Sequence, residues 1–148
     1  MERISLNGLW QVSGSDGSTF SGTVPGCVHT DLFTAQEMFF EENARRVQSV
    51  EQNDYCYRRT FTVAAVGEDP VLVFEGLDTY CSIFLNGTKL GDGDDMFLTY
   101  RFPVQGILRS GKNELTVAFR SPVREVAGRP PRSGAFTTER LYTRRMQC

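Results

Sequence analysis

The sequence predicts an all-β fold, either a β-sandwich or a barrel, built from many short strands. Strand-like segments recur along the chain, and turn clusters rich in Gly, Asn and Asp separate them. The clearest example is Phe74 to Gly91, FEGLDTYCSIFLNGTKLG, where Asn86-Gly87 predicts a tight type I′ hairpin. Short strands broken by frequent turns are typical of sandwiches.

The predicted strands follow one another along most of the chain. In chain order they are Leu9–Val12, Tyr57–Val66, Val71–Phe74, Tyr80–Leu85, Phe97–Val104 and Glu114–Phe119. The run VLVF at Val71–Phe74 is continuously apolar, which predicts a strand buried on both faces. Tyr80–Leu85 is also strongly apolar, so we expect a central strand with one face against the opposite sheet.

One short helix is predicted after the first strand, over Asp31–Met38, with Thr30 as its cap. From Ser121 onward the sequence becomes rich in Gly, Pro and Arg, which predicts a long loop or arm. We therefore expect residues 1–123 to form one sandwich domain. Residues 124–148 would form an arm and the start of a further strand of the same domain.

Length, composition and charge narrow the possible functions. The 148 residues fit one domain, and a net charge of -2 gives no general attraction to nucleic acid or anionic membranes. The late basic cluster lacks interleaved stacking aromatics, and no run of 18 apolar residues exists. We therefore expect no nucleic-acid partner and no membrane span.

The cysteines and the first ten residues bear on localisation. The segment MERISLNGLW has no apolar leader, which predicts a cytoplasmic protein. The four cysteines match no C-x-x-C pattern, so we expect free thiols and neither zinc nor another cofactor. They are Cys27, Cys56, Cys81 and Cys148. The sequon Asn86-Gly87-Thr88 would matter only in a secreted chain.

His29 is the only histidine, and it lies in the stretch VPGCVHTDL. It could act as a general base, a metal ligand or the partner of a Cys27 nucleophile. A purely structural role for the stretch is the alternative.

The stretch GDGDDM, Gly91–Met96, places three aspartates beside glycines and could hold calcium. An EF-hand loop counted from Asp92 would need a glutamate at its twelfth position, which is Pro103. We therefore expect no metal site, and we interpret the stretch as an acidic hairpin end that discourages edge pairing.

Two aromatic residues could stack on a sugar ring. Trp10 and Tyr55 are candidates, but such residues are more often part of a sandwich core. We expect the core role for both.

Several stretches together resemble the N-terminal domain of β-mannosidases of glycoside hydrolase family 2. They are LNGLW (Leu6–Trp10), VPGCVHTDL (Val24–Leu32), DYCYRRTF (Asp54–Phe61), FEGLDTYCSIFLNG (Phe74–Gly87), MFLTYRFPV (Met96–Val104), RSPV (Arg120–Val123) and RLYTRRMQC (Arg140–Cys148). The resemblance covers nearly the whole chain, in order. It implies a jelly-roll sandwich of the galactose-binding-domain-like type. It also implies that VPGCVHTDL turns the chain from the first strand into a helical segment, and we favour this structural role for His29.

The resemblance also implies a longer enzyme that hydrolyses terminal β-mannosides with retention. In that family an immunoglobulin-like domain and a (β/α)8 barrel follow this domain, and the barrel carries both catalytic glutamates. No pair of acidic residues in this chain is marked as such a pair, so we predict no catalytic residue here and no hydrolysis by the chain alone. The implied partners are the two further domains and, through the parent enzyme, a β-mannoside saccharide.

Asn43 is the predicted substrate-binding residue, and the alternative is an ordinary surface-loop amide. The resemblance implies an Asn-Glu pair in this loop that approaches the active site, and an amide can both donate to and accept from a sugar hydroxyl. The chain departs from the family pattern at four positions, where it has Ala44 for Glu, Ser49 and Tyr55 for Trp, and Asp95 for Asn. Two alternatives remain open, a free-standing carbohydrate-binding module and a purely structural interdomain scaffold.

Overall fold

The computed structural model describes residues 3–39 and 43–127, which form two antiparallel β-sheets and several short helices. The strands are β1 (Gly8–Gly14), β2 (Thr19–Val24), β3 (Tyr55–Val63), β4 (Val71–Phe74), β5 (Cys81–Leu85), β6 (Thr88–Gly93), β7 (Tyr100–Pro103) and β8 (Gly111–Phe119). The helices are α1 (Val28–Leu32), α2 (Ala35–Phe39), α3 (Ala44–Ser49), a 3-10 helix (Val50–Gln52) and α4 (Pro122–Ala127). The all-β prediction is confirmed.

The six-stranded sheet has the order β2-β1-β3-β8-β5-β6, and the smaller sheet pairs β4 with β7. The chain crosses between the sheets after β3, β4, β6 and β7. The longest pairing joins β3 to β8, from Tyr55 opposite Phe119 to Val63 opposite Gly111. As predicted, β5 is a central strand, since it pairs with β8 on one side and β6 on the other.

The core lies between the two sheets. The buried residues of the large sheet include Val12, Tyr57, Ile83 and Leu115, and Phe102 from the small sheet packs against them. Gly91 of β6 permits this approach, because a Cβ atom there would lie 2.7 Å from the Phe102 ring. The two sheets therefore share one continuous apolar core.

The strand β4 differs from its prediction. Val71 and Val73 are 49% and 39% exposed, while Leu72 and Phe74 are half-buried and pack against the core. The prediction that VLVF is buried on both faces is therefore wrong. A two-stranded sheet that covers one side of a core has only one inner face, and the pleat turns alternate residues outward.

The helical region also differs. The structure has α1, α2 and α3 after the second strand, where one helix over Asp31–Met38 was predicted after the first. The backbone is extended at Phe33 (φ -132°, ψ 140°), and Thr34 and Glu37 then form a capping box. The Thr34 amide donates to the Glu37 carboxylate at 2.8 Å, and the Glu37 amide donates to the Thr34 hydroxyl at 3.3 Å. This reciprocal pair starts a second helix and so divides the predicted one.

The chain after Ser121 is helical at first, so the predicted loop is wrong for residues 122–127. Pro122 occupies the first helical position, where its missing N–H is not needed. The Ser121 hydroxyl accepts from the Arg124 amide at 3.2 Å, and the Ser121 carbonyl accepts from the Glu125 amide at 3.0 Å. The helix α4 crosses the expected domain boundary at residue 123, and residues 128–148 of the arm lie outside the described residues.

The Asn86-Gly87 hairpin forms as predicted, with positive φ at both residues (51° and 82°). The Asn86 side-chain amide donates to the Ile107 carbonyl at 2.9 Å and to the Asn113 side chain at 2.8 Å. Its oxygen accepts from the Glu114 amide at 2.9 Å. A glycan on this nitrogen would replace one of its two protons and so break one of the two hydrogen bonds that it donates. The side-chain amide of the sequon therefore has a structural role.

We predict that Asn86→Ala lowers the free energy of unfolding by about 2–3 kcal/mol, because it leaves the buried Asn113 and the Glu114 amide short of partners. Urea denaturation measures the change. Thr88→Ala removes the same sequon at an exposed position and should change stability by less than about 0.5 kcal/mol. Equal losses in the two variants would contradict the role assigned to the amide.

Cys81 is fully buried on β5, and burial raises the pKa of its thiol to about 11. In the unfolded chain the thiol has a pKa near 9.0, so above that pH the unfolded state loses a proton that the folded state keeps. We therefore predict that stability falls between about pH 9 and pH 11, by at most about 1.4 kcal/mol per pH unit from this group. In Cys81→Ala, the free energy of unfolding measured by urea denaturation should fall less steeply with pH across this range than in the unsubstituted chain. An equally steep fall in the two proteins would contradict the prediction.

Candidate functional site at one end of the large sheet

The strand register brings several chain segments together at one end of the large sheet. Tyr55 at the start of β3 lies opposite Phe119 at the end of β8, and Cys81 at the start of β5 lies opposite the same residue. The residues just outside these strands therefore become neighbours. We call the contacts among Glu51, Asp54, Arg120, Ser121, Arg124 and Glu125 the junction.

Asp54 is the centre of the junction. Its Oδ1 accepts from the Ser121 backbone amide at 2.7 Å and from the Arg124 guanidinium at 2.6 Å. Ser121 is fully buried, and its hydroxyl donates to the Glu51 carbonyl at 2.7 Å. The bonds tie the start of α4 to the 3-10 helix that precedes β3.

Arg120 links the junction to the outer face of the large sheet. Its Nε donates to Glu125 at 2.6 Å, and one of its terminal nitrogens donates to the Ser82 hydroxyl at 3.1 Å. The Ser82 hydroxyl donates in turn to Asp92 at 2.5 Å, and Lys89 pairs with Asp92 at 2.8 Å. Hydrogen bonds from Lys89 and Ser82 lower the pKa of Asp92, so this carboxyl stays ionised at neutral pH.

A cleft of about 270 Å³ lies over the junction, lined by Asp54, Arg120, Ser121, Arg124 and Glu125. Both guanidinium groups in it are paired with carboxylates, Arg120 with Glu125 and Arg124 with Asp54. The charges therefore compensate one another within the cleft. This arrangement suits a structural joint between chain segments.

The predicted substrate-binding residue, Asn43, lies at the start of α3. It is half-buried, has helical backbone angles (φ -83°, ψ -13°), and makes no capping hydrogen bond with its side chain. The segment from Asn43 runs through α3 and the 3-10 helix into Asp54. The junction thus holds the far end of the segment that carries Asn43, while the role of Asn43 itself stays a prediction.

The two candidate stacking residues are part of the core, as predicted. Trp10 is 5% exposed, and its indole N–H donates to the Leu6 carbonyl at 2.9 Å. Tyr55 is 2% exposed and meets Phe20 edge to face, with ring centroids 6.2 Å apart. Neither ring presents a face to solvent, so neither can stack on a sugar.

The stretch around His29 follows β2, the second strand, whereas the resemblance implied a turn from the first strand. Cys27 precedes α1, and His29 lies within it, so the two residues do not share a face as they would on a strand. The Thr30 hydroxyl donates to the Cys27 carbonyl at 2.9 Å, and Asp31 accepts from the Thr23 amide at 3.1 Å. The stretch therefore turns the chain from β2 into α1.

The aspartates of GDGDDM are used separately. Asp92 bonds Ser82 and Lys89, whereas Asp95 accepts from the Phe97 amide at 2.8 Å. Within residues 3–39 and 43–127, no group of three or more His, Cys, Asp or Glu side chains could hold a metal ion. In the same residues, no helix is long and apolar enough to cross a membrane.

The sequence interpretation missed the junction residues. Asp54 and Ser121 are 67 positions apart, and only the pairing of β3 with β8 brings them together. One local signal was available, since Ser121 followed by Pro122 and by Glu125 is typical of a helix start.

We predict that Asp54→Ala lowers the free energy of unfolding by about 1–2 kcal/mol, because the Ser121 amide is left buried without an acceptor. Asp54→Asn keeps an acceptor oxygen, so its free energy of unfolding should fall by less. Arg124→Ala removes only a half-exposed ion pair and should lose about 0.5 kcal/mol or less. Urea denaturation of all three tests this order, with Asp69→Ala in an exposed turn as control, and equal losses for Asp54→Ala and Arg124→Ala would refute it.

Comparison with known proteins identifies the family of this chain. The family described as "Glycosyl hydrolase 2 galactose-binding domain-like" matches residues 10–148. The chain is 31% identical over 140 residues to the "Beta-mannosidase" of Bos taurus, covering 90% of this chain and 16% of that protein. It is 36% identical over 102 residues to the "Beta-mannosidase B" of Thermothelomyces thermophilus, covering 66% of this chain and 12% of that protein.

Solved structures agree. The crystal structure of the β-D-mannosidase from Dictyoglomus thermophilum superposes with a TM-score of 0.74 at 37% identity, covering 88% of this chain and 17% of that one. A β-glucuronidase from an uncultured Clostridium species shares the fold at 22% identity, with a TM-score of 0.59 and 78% and 21% of the two chains covered. The chain thus spans only 12% to 17% of the length of these mannosidases. The resemblance found in the sequence is confirmed, and the chain belongs to the glycosyl hydrolase 2 galactose-binding domain-like family.

Proposed function

We propose that this chain is the N-terminal domain of a β-mannosidase and that it supports hydrolysis of terminal β-mannosides by the parent enzyme. The observation that carries this proposal is the similarity to proteins named β-mannosidase, which reaches 31% identity over 140 residues and 37% identity in a solved structure. The glucuronidase neighbour shares the fold at only 22% identity. Fold alone would not separate these activities, so the sequence similarity is what supports a β-mannoside as the substrate.

The role we assign to this chain is positioning, and the chemistry belongs to other domains. A retaining glycosidase needs two carboxyl groups about 5–5.5 Å apart beside the bond to be cleaved. In the junction, by contrast, Asp54 and Glu125 each pair with an arginine. The further domains implied by the resemblance, an immunoglobulin-like domain and a barrel, are the proposed partners and would carry the catalytic pair.

Within this role, the segment that begins at Asn43 would approach the mannose subsite. Asn43 is half-buried, and its amide is not used to cap α3. An amide in this state can donate to and accept from sugar hydroxyls. The cytoplasmic localisation expected from the first ten residues stays a prediction.

A chimera tests the proposal directly. Residues 1–148 would replace the matching domain of the Dictyoglomus thermophilum β-mannosidase, and we expect the chimera to hydrolyse p-nitrophenyl β-mannoside. Asn43→Ala should raise its KM about 5–30-fold, as expected for one lost hydrogen bond of about 1–2 kcal/mol to the sugar. Gln48→Ala removes an exposed amide from the same segment and should leave KM unchanged.

Two further proteins complete the experiment. The isolated chain should show no hydrolysis above buffer, and a chimera carrying the N-terminal domain of the Clostridium β-glucuronidase should show less activity than ours. A folded chimera of this chain that leaves the β-mannoside intact would contradict the proposed function. An unchanged KM in Asn43→Ala would contradict only the role of Asn43.

A further inference from the structure

The loop between β6 and β7 presents two large apolar side chains to solvent. Phe97 is 78% exposed and Leu98 is 52% exposed, and the two are adjacent in the chain. The sequence predicted that both belong to a strand over Phe97–Val104, but the strand begins only at Tyr100. These residues therefore form a projecting apolar tip.

The loop is held in place by hydrogen bonds within itself. The Tyr100 hydroxyl accepts from the Asp94 and Asp95 amides at 3.1 and 2.9 Å and donates to the Asp95 carbonyl at 2.8 Å. The Asp95 carboxylate accepts from the Phe97 amide at 2.8 Å. Below the loop, the Tyr100 ring stacks on Phe102 with centroids 6.5 Å apart.

This arrangement resembles the anchor residues of protein interfaces. An aromatic side chain on an ordered loop loses little conformational freedom when it is buried by a partner. A larger share of the free energy of apolar contact therefore contributes to the binding free energy. A tip that served only to connect two strands would gain nothing from exposing both Phe97 and Leu98.

The position of the tip indicates what covers it. The loop leaves β6 at Gly93, which lies opposite Cys81, and Cys81 in turn lies opposite Phe119 at the end of β8. The tip therefore starts from the same end of the large sheet as the junction and α4. The mannosidase relatives are about six to eight times longer than the matched segment, since it covers 12% to 17% of their length.

We propose that Phe97 and Leu98 dock into an apolar pocket on the remainder of the parent polypeptide and anchor this domain to it. This inference rests on the proposed function. The polar groups nearest the tip favour a protein partner over a sugar, because Asp95 and the Tyr100 hydroxyl already bond within the loop. A sugar platform would need such groups free to bond hydroxyls.

The test uses the chimera with a protease site inserted after residue 148. After cleavage, the two pieces of the unsubstituted chimera should stay associated in size-exclusion chromatography. Phe97→Ser with Leu98→Ser should raise their dissociation constant at least tenfold. The matched control is Val71→Ser with Val73→Ser, which changes two exposed apolar residues on β4 (49% and 39% exposed) and should leave the constant unchanged.

The outcomes distinguish the possible binding partners of the tip. An unchanged dissociation constant in the Phe97/Leu98 variant, or an equal rise in the Val71/Val73 variant, would overturn the proposal. If the isolated chain dimerised and the Phe97/Leu98 substitution abolished the dimer, the proposal would also be overturned, because the partner of the tip would then be a second copy. Shifts of the Phe97 ring signals on titration with mannose would overturn it in favour of a sugar.

Two controls complete the test. The isolated Phe97/Leu98 variant should keep the melting temperature of the unsubstituted chain, because both side chains are exposed. Failure of the proposed function is seen separately, as an uncut, unsubstituted chimera that folds but leaves the β-mannoside intact.

Discussion

The pairing of β3 with β8 is the constraint on which the rest of the structure depends. It runs over the full length of both strands, from Tyr55 opposite Phe119 to Val63 opposite Gly111. A shift of one residue would turn Tyr57 and Val117 away from the core, so burial fixes the register. The same register places Asp54 beside Ser121 and so creates the junction.

The junction connects two segments that lie far apart in the chain. It joins the segment that starts at Asn43 to α4, the last described element. Val50 of the 3-10 helix and Val126 of α4 are both buried, so apolar packing supports the hydrogen bonds. These contacts link α4 to the segment that we propose approaches the mannose subsite.

Features set by a few neighbouring residues could be predicted from the sequence, and features set by distant pairing could not. The Asn86-Gly87 hairpin was predicted correctly because its geometry depends on two residues that tolerate positive φ. The burial of VLVF was predicted wrongly, because it depends on which sheet the strand joins. The capping box at Thr34 and Glu37 was a local signal that the helix prediction passed over.

The candidate site follows the same rule. The family resemblance suggested Asn43, whose role stays a prediction, whereas Asp54 and Ser121 are 67 positions apart and no local pattern connects them. The exposure of Leu98 was equally hidden, because the alternation from Leu98 to Phe102 is typical of a strand on which Leu98 would share the inner face with Tyr100. The loop contacts of Asp95 and Tyr100, which precede the late start of this strand at Tyr100, depend on the folded loop.

The central claim is that the junction makes α4 and the 3-10 helix one cooperative unit. Native-state hydrogen exchange measures this most directly, at the Asn53 amide, which donates to the Val50 carbonyl, and at the Glu125 amide, which donates to Ser121. In Asp54→Ala, we expect exchange at both amides to accelerate by a similar factor, while exchange of the paired β3 amides is much less affected. Acceleration at Glu125 alone would contradict the claim, since α4 would then move independently of the segment that carries Asn43.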